Sequence, residues 1–328
     1  MTVAGPHNAL TDVAGLRVGH HSRAGDGWLT GVTVVVAPPG GAVGGVDVRG
    51  GGPGTRETDV LDPRNLVERV DAIVLGGGSA YGLAAAGGVM RRLADDGRGF
   101  PVGPAAGQVV PIVPAAVLFD LGRGGVFRNT PDEEFGAAAY DIASDGPVAQ
   151  GTVGAGTGAV AGGLKGGVGT ASAVVDGVTV GALAVVNSAG SAVSPASGAL
   201  YGAEFGFLTE FSGFVARPLS LRPTVTSFNT TIGVIATDLT LTKAQCQKLA
   251  GIAHDGMARA IRPVHSMVDG DTVFALATGA RPAPGVAAFN ELLAAAADTF
   301  SRAVAHGMLA ATSAGGFRSL TEAAGSGT

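Results

Sequence analysis

The chain has 328 residues, 46% of them hydrophobic and 14% charged, with a net charge of −5. Such a composition can fill a large core and argues against disorder, and an acidic balance without a basic cluster argues against a nucleic-acid partner. The one cysteine, Cys246, excludes an intramolecular disulfide and a cysteine-rich metal site. The opening stretch "MTVAGPHNALTDV" lacks a basic segment leading into an apolar run, so no secretory signal is expected. No apolar run reaches about 18 residues, so no transmembrane helix is expected. A soluble cytoplasmic protein is the default. In chain order, apolar and β-branched runs predict strands at 15–20, 31–37, 72–75, 115–119, 171–175, 178–186, 231–236 and 272–276. Helical spacing predicts helices at 80–94, 132–142, 242–261 and 286–311. Thr242 and Gln245 fit a capping box at the start of the third helix, and Cys246 falls on its apolar face, as a core residue. Residues 217–223 read as a surface loop between prolines. Strands come in runs rather than alternating strictly with helices, which favours α+β layers. No linker divides the chain.

Glycine is abundant, at 56 residues, and clusters at 48–56, 75–83 and 151–170. These clusters read as turns and places of close backbone approach. "VLGGGSAYGL" follows a strand and opens a helix, but its glycine spacing is not that of a dinucleotide loop. Tyr81 in that turn reads as a packed ring. None of the six histidines has ligand spacing, so neither metal nor cofactor is expected, and no G-x-S-x-G elbow is present.

Four other positions carry two readings each. Asp269 and Asp271 form either a glycine-centred surface turn or, two apart on one strand face, a carboxylate pair that orients a nucleophile or an ammonium. Lys165, amid glycines, is a solvated loop tip or a charge aimed into a cleft. Asn187, at the end of an apolar strand, is a turn residue or an amide donor to an oxyanion. In "SFNTTIGVIATD", Asn229 is a turn former placed directly before the most regular strand. A hydrolase without histidine can work with a nucleophile at a chain terminus, because a threonine's α-amine, with a pKa near 8, can take the proton from its own hydroxyl. Cleavage between Asn229 and Thr230 would create that terminus.

These motifs, with "LTDVAGLRVGH", "VDVRGGGPGTRETDVL", "VPAAVLFDL", "GAGTGAVAGGLKGG" and "ARAIRPVHSMVDGDTVFALATG", resemble a family of self-processing hydrolases along nearly the whole chain. The family includes L-aminopeptidase/D-esterase, the β-peptidyl aminopeptidases and the nylon-oligomer (6-aminohexanoate-oligomer) hydrolases. The resemblance implies a four-layer αββα sandwich like that of N-terminal-nucleophile hydrolases. It implies a single domain, 1–328, that cuts itself into chains 1–229 and 230–328. It implies Thr230 as nucleophile, with Asn187, Lys165, Asp269 and Asp271 around it and Tyr81 and Phe119 in the pocket wall. It further implies small peptide, amide or ester substrates, no cofactor, and a homo-oligomer of processed protomers, a tetramer or larger. Alternatives are nylon-oligomer hydrolysis, acyl transfer resembling that of the ornithine acetyltransferases, and a non-catalytic small-molecule binding protein of the same fold.

Overall fold

The computed structural model describes residues 2–105, 107–219 and 228–325. Its strands are β1 (Thr2–Val3), β2 (Arg17–Gly25), β3 (Trp28–Val36), β4 (Ala42–Val48), β5 (Gly54–Arg56), β6 (Arg69–Val70), β7 (Ala72–Gly76), β8 (Phe100–Pro101), β9 (Val109–Val110), β10 (Ala115–Val117), β11 (Val160–Ala161), β12 (Leu164–Lys165), β13 (Val168–Val175), β14 (Val178–Val185), β15 (Ile232–Leu239) and β16 (Thr272–Arg281). The α-helices are α1 (Ala85–Asp95), α2 (Glu133–Asp141), α3 (Lys243–Ala260), α4 (Val286–Ala310) and α5 (Leu320–Gly325). A seven-stranded sheet runs β1-β13-β14-β15-β16-β4-β6, and a five-stranded sheet runs β2-β3-β7-β10-β5.

Period-two alternation on the strands builds the layers. Along β15, Ile232, Val234 and Ala236 point between the sheets, where they meet Ile73 and Leu75 of β7 and Phe274 of β16. Ile235 and Leu239 point the other way, into a core shared with Cys246, Leu249 and Met257 of α3 and Phe300, Val304 and Met308 of α4. On the outer face of the smaller sheet, Val32, Val34 and Val74 pack on Val89 and Leu93 of α1 and Phe135 of α2. The result is the αββα sandwich. Thr242 caps α3 as its sequence suggests, accepting from the Gln245 N–H at 3.2 Å while Gln245 Oε1 accepts the Thr242 N–H at 2.9 Å.

Several segments depart from expectation, among them short edge strands and α5. The helix expected from residue 80 begins as a 3-10 turn, Ser79–Ala84, before α1, and the chain enters it through Gly78 and Ser79 in the left-handed region, with φ of +80° and +51°. The interior strand β4 was not expected. Part of the loop expected at 217–223 lies outside the described residues. No helix among the described residues is long and apolar enough to cross a membrane.

Candidate active site

Strand register assembles the site. Ile232, first in β15, pairs with Val185, last in β14, on one side and with Thr272, first in β16, on the other. Thr230, Asn187 and Asp271 lie one or two residues beyond those pairs, so the ladder sets them side by side. From the smaller sheet, Val117 of β10 pairs with Gly76 of β7 and Gly54 of β5, and the turns beyond them face the same point. Between them is a cleft of about 310 Å³ lined by Gly52, Pro53, Gly54, Ser79, Ala80, Val117, Phe119, Phe228, Asn229, Thr230 and Val268.

Thr230 is 4% exposed. Its Oγ1 donates to the carbonyl of Asn229 and accepts the N–H of Gly270 at 3.1 Å. The Thr230 N–H donates to the Asn187 carbonyl at 2.5 Å, and the Asn229 N–H donates to the Val268 carbonyl at 3.0 Å. Glycine is required at 270: a Cβ there would stand 2.6 Å from the Gly52 carbonyl oxygen and 2.8 Å from Thr230 Oγ1, inside van der Waals contact.

Asn187 is fully buried. Its Oδ1 accepts the Val160 N–H at 2.9 Å and Arg123 Nη1. Both partners can only donate, so the amide has one orientation, with Nδ2 turned toward the Phe119 carbonyl 3.4 Å away. This is an amide donor held in place by its own oxygen.

The carboxylates do not share a strand face. Both precede β16, in a turn closed by the Asp269 N–H to the Ser266 carbonyl, and they straddle the Gly270 that meets Thr230. Asp269 accepts the Ala189 N–H at 3.0 Å and the Ser266 hydroxyl. Asp271 accepts the Thr231 N–H at 2.8 Å, the His265 N–H at 3.0 Å and His265 Nδ1 at 2.8 Å. One carboxylate therefore ties down the loop after Asn187, and the other the residue after Thr230. Burial pushes the Asp269 carboxyl up, with the Asp271 charge adding to it and hydrogen bonds from Ser266 and Ala189 opposing.

Lys165 is not a loop tip but is fully buried, its Nζ donating to the carbonyls of Gly156 at 2.8 Å and Gly166 at 2.7 Å. Burial brings its ammonium down to about 7, with Arg123 pushing the same way and Asp120 opposing. Phe119 is in the cleft wall, its ring 5.7 Å from that of Phe228. Tyr81 is not brought into the cleft: its ring is exposed and borders an adjoining hollow with Phe127, Arg128 and Thr130.

The sequence reading missed Asp120, Arg123, His265 and Ser266. Arg123 donates to Asn187 Oδ1, to Asn229 Oδ1 at 3.2 Å and to the Gly158 carbonyl at 2.7 Å. Burial lowers its guanidinium to about 10 and raises the Asp120 carboxyl to about 6. A lone arginine between glycines after a strand, "FDLGRGG", is the signal that marks it, and the Ser-x-x-Asp spacing marks Ser266. Among the described residues no group of three or more His, Cys, Asp or Glu is placed to hold a metal ion.

A hydroxyl against a carbonyl, a backbone donor on that hydroxyl and an oriented amide are the parts that acyl chemistry uses. The comparisons with known proteins agree. The chain is 51% identical, over 96% of its length and 93% of the relative's, to an uncharacterized aminopeptidase of Mycobacterium leprae. It is 33% identical to a 6-aminohexanoate-oligomer endohydrolase of Kocuria sp., over 81% of this chain and 74% of that one. In fold it is similar to the L-aminopeptidase D-Ala-esterase/amidase of Ochrobactrum anthropi, described as a variant of the Ntn hydrolase fold, with a TM-score of 0.73 and 24% identity over 94% of this chain and 88% of that one. The family model for peptidase family S58 matches residues 8–321, and the chain is accordingly a hydrolase belonging to peptidase family S58.

Proposed function

We propose that the protein cuts its own Asn229–Thr230 bond and then uses Thr230 as an N-terminal nucleophile to hydrolyse small amino-terminal amides and peptides. The observation that carries this reading is the position of Thr230 Oγ1, hydrogen-bonded to the carbonyl it would attack and to the Gly270 N–H. In the first step the Thr230 oxygen bonds to the Asn229 carbonyl carbon and the C–N bond breaks. The hydroxyl proton goes to the departing nitrogen, which becomes the α-amine of Thr230. Water then cleaves the ester, giving a carboxylate at Asn229 and restoring the hydroxyl.

In the mature enzyme the α-amine takes the hydroxyl proton as Thr230 attacks a substrate carbonyl. Asn187 Nδ2 and the Gly270 N–H are the donors available to the developing oxyanion. The acyl-enzyme releases the amine product, and water returns the enzyme. The aminopeptidase relatives support this substrate class. A second reading, endo-hydrolysis of oligomeric amides, is favoured by one feature: the nitrogen of Asn229 is held as an amide by a neutral carbonyl, that of Val268.

Mass spectrometry of the purified protein tests the proposal. Two chains of 229 and 99 residues (328 − 229 = 99) are expected, the second beginning with Thr230, and Thr230→Ala should stay whole and inactive. An active enzyme that remains one chain, or one cut elsewhere, overturns it.

A further inference from the structure

Arg123 is placed to select the acyl group. In the uncut chain Asn229 is the acyl residue of the first bond that Thr230 meets, and its contacts therefore outline the acyl subsite. Its nitrogen donates to the Val268 carbonyl at 3.0 Å. Its side-chain Oδ1 accepts from Arg123 Nη2 at 3.2 Å. The same guanidinium is fixed at Nη1 by the Gly158 carbonyl and Asn187 Oδ1, so Nη2 cannot follow a substrate of a different shape. When Asn229 leaves, that Nη2 proton loses an acceptor in a mostly buried place. A substrate that supplies an oxygen at the same position restores the bond, whereas an apolar side chain leaves a charged donor unpaired.

We infer that the mature enzyme prefers acyl residues bearing a β-carbonyl oxygen, as asparagine and aspartate do, and that Arg123 is the specificity-determining residue for them. This rests on Thr230 being the nucleophile of both cleavage and turnover.

The test compares the processed enzyme on the α-p-nitroanilides of asparagine, aspartate and leucine, the last matching the first two in size. The expected result is a kcat/KM for the asparagine and aspartate substrates at least about tenfold above leucine. The ratio should fall toward one in Arg123→Lys, which keeps the charge and loses the fork. An independent measurement uses the precursor alone: Asn229→Asp should process near the wild-type rate and Asn229→Leu at least about tenfold more slowly. A wild-type ratio near one, or Asn229→Leu processing as fast as wild type, overturns the inference while cleavage before Thr230 leaves the proposed chemistry standing. A protein that neither cuts at Thr230 nor loses activity in Thr230→Ala removes both.

Discussion

The Thr231 N–H donates to Asp271 Oδ1 at 2.8 Å, so the carboxylate grips the residue after Thr230 while Gly270, one position earlier, touches Thr230 itself. Backbone and side chain of one turn thus set the two ends of Thr230 relative to each other. Asp271→Ala removes the acceptor of the Thr231 N–H and the one oxygen that serves both the backbone N–H and Nδ1 of His265. A misplacement of the order of 1 Å costs about 10²-fold in rate, and that is the slowing expected for processing, followed on a denaturing gel. Unpaired donors should also lower stability by about 1–3 kcal/mol. Asp271→Ala processing at the wild-type rate would mean that the turn holds its shape without the carboxylate.

Gly270→Ala probes the same turn from the backbone side. Its Cβ would fall 2.6 Å from the Gly52 carbonyl and 2.8 Å from Thr230 Oγ1, and the first of these is main chain that cannot swing aside. Processing should slow by about 10²-fold or more, whereas Gly146→Ala, where the added carbon meets nothing within 4 Å, should process normally. Equal rates for the two variants would show that the turn relaxes around the methyl group.

Lys165 gives a pH signature. Its folded pKa is about 7 against an ordinary 10.5, chiefly through burial. Between those values the unfolded chain carries the extra proton, so this group makes the protein more stable as pH rises, and its full penalty is present below about 7. Lys165→Met removes that dependence. The melting temperature of the wild type relative to the variant should therefore climb from pH 7 to pH 9. Cys246 titrates with the opposite sense but is common to both proteins and cancels. A difference that stays flat over this range would show that the ammonium keeps its proton when buried.

Cys246 is fully buried and its thiol is pushed up to about 12 by desolvation. It should resist a thiol-reactive chromogenic disulfide in the native protein and react at one equivalent after unfolding. Activity should survive the reagent. Rapid native modification with loss of turnover would point to a thiol in the chemistry.

Strand β15 and helix α3 were legible because local signals and tertiary role agree: alternating β-branched residues in one, a capping box and an apolar stripe in the other. Strand β4 was not. Its central Gly44 and Gly45 interrupt the apolar alternation of a strand, yet a side chain on Gly45 would stand 2.5 Å from the Gln247 nitrogen of α3, and the glycine is there to let that helix lie on the sheet. Thr230 and Phe119 line one cleft, with Asn187 hydrogen-bonded to Thr230 beside it. The Asp269 and Asp271 pair was found with a different geometry, because glycine between them breaks the strand alternation that the spacing suggests. Arg123 was missed because its meaning comes from partners 64 and 106 positions away, and its place between glycines after a strand names none of them.

The placement of β15 between β14 and β16 also bears on timing and on what a nick can do. Residues 187, 230 and 270 meet only after both ladders have formed, so a proposed cut at residue 229 reports on native pairing: a chain that has missed its topology stays whole. Once cut, the smaller piece carries β15, α3, β16 and α4, with β14 and β4 of the larger piece hydrogen-bonded on either flank. Pulling the pieces apart means tearing two ladders and opening the helix-covered core. The nicked protein should therefore melt in one transition, and its separated fragments should recover activity only when refolded together.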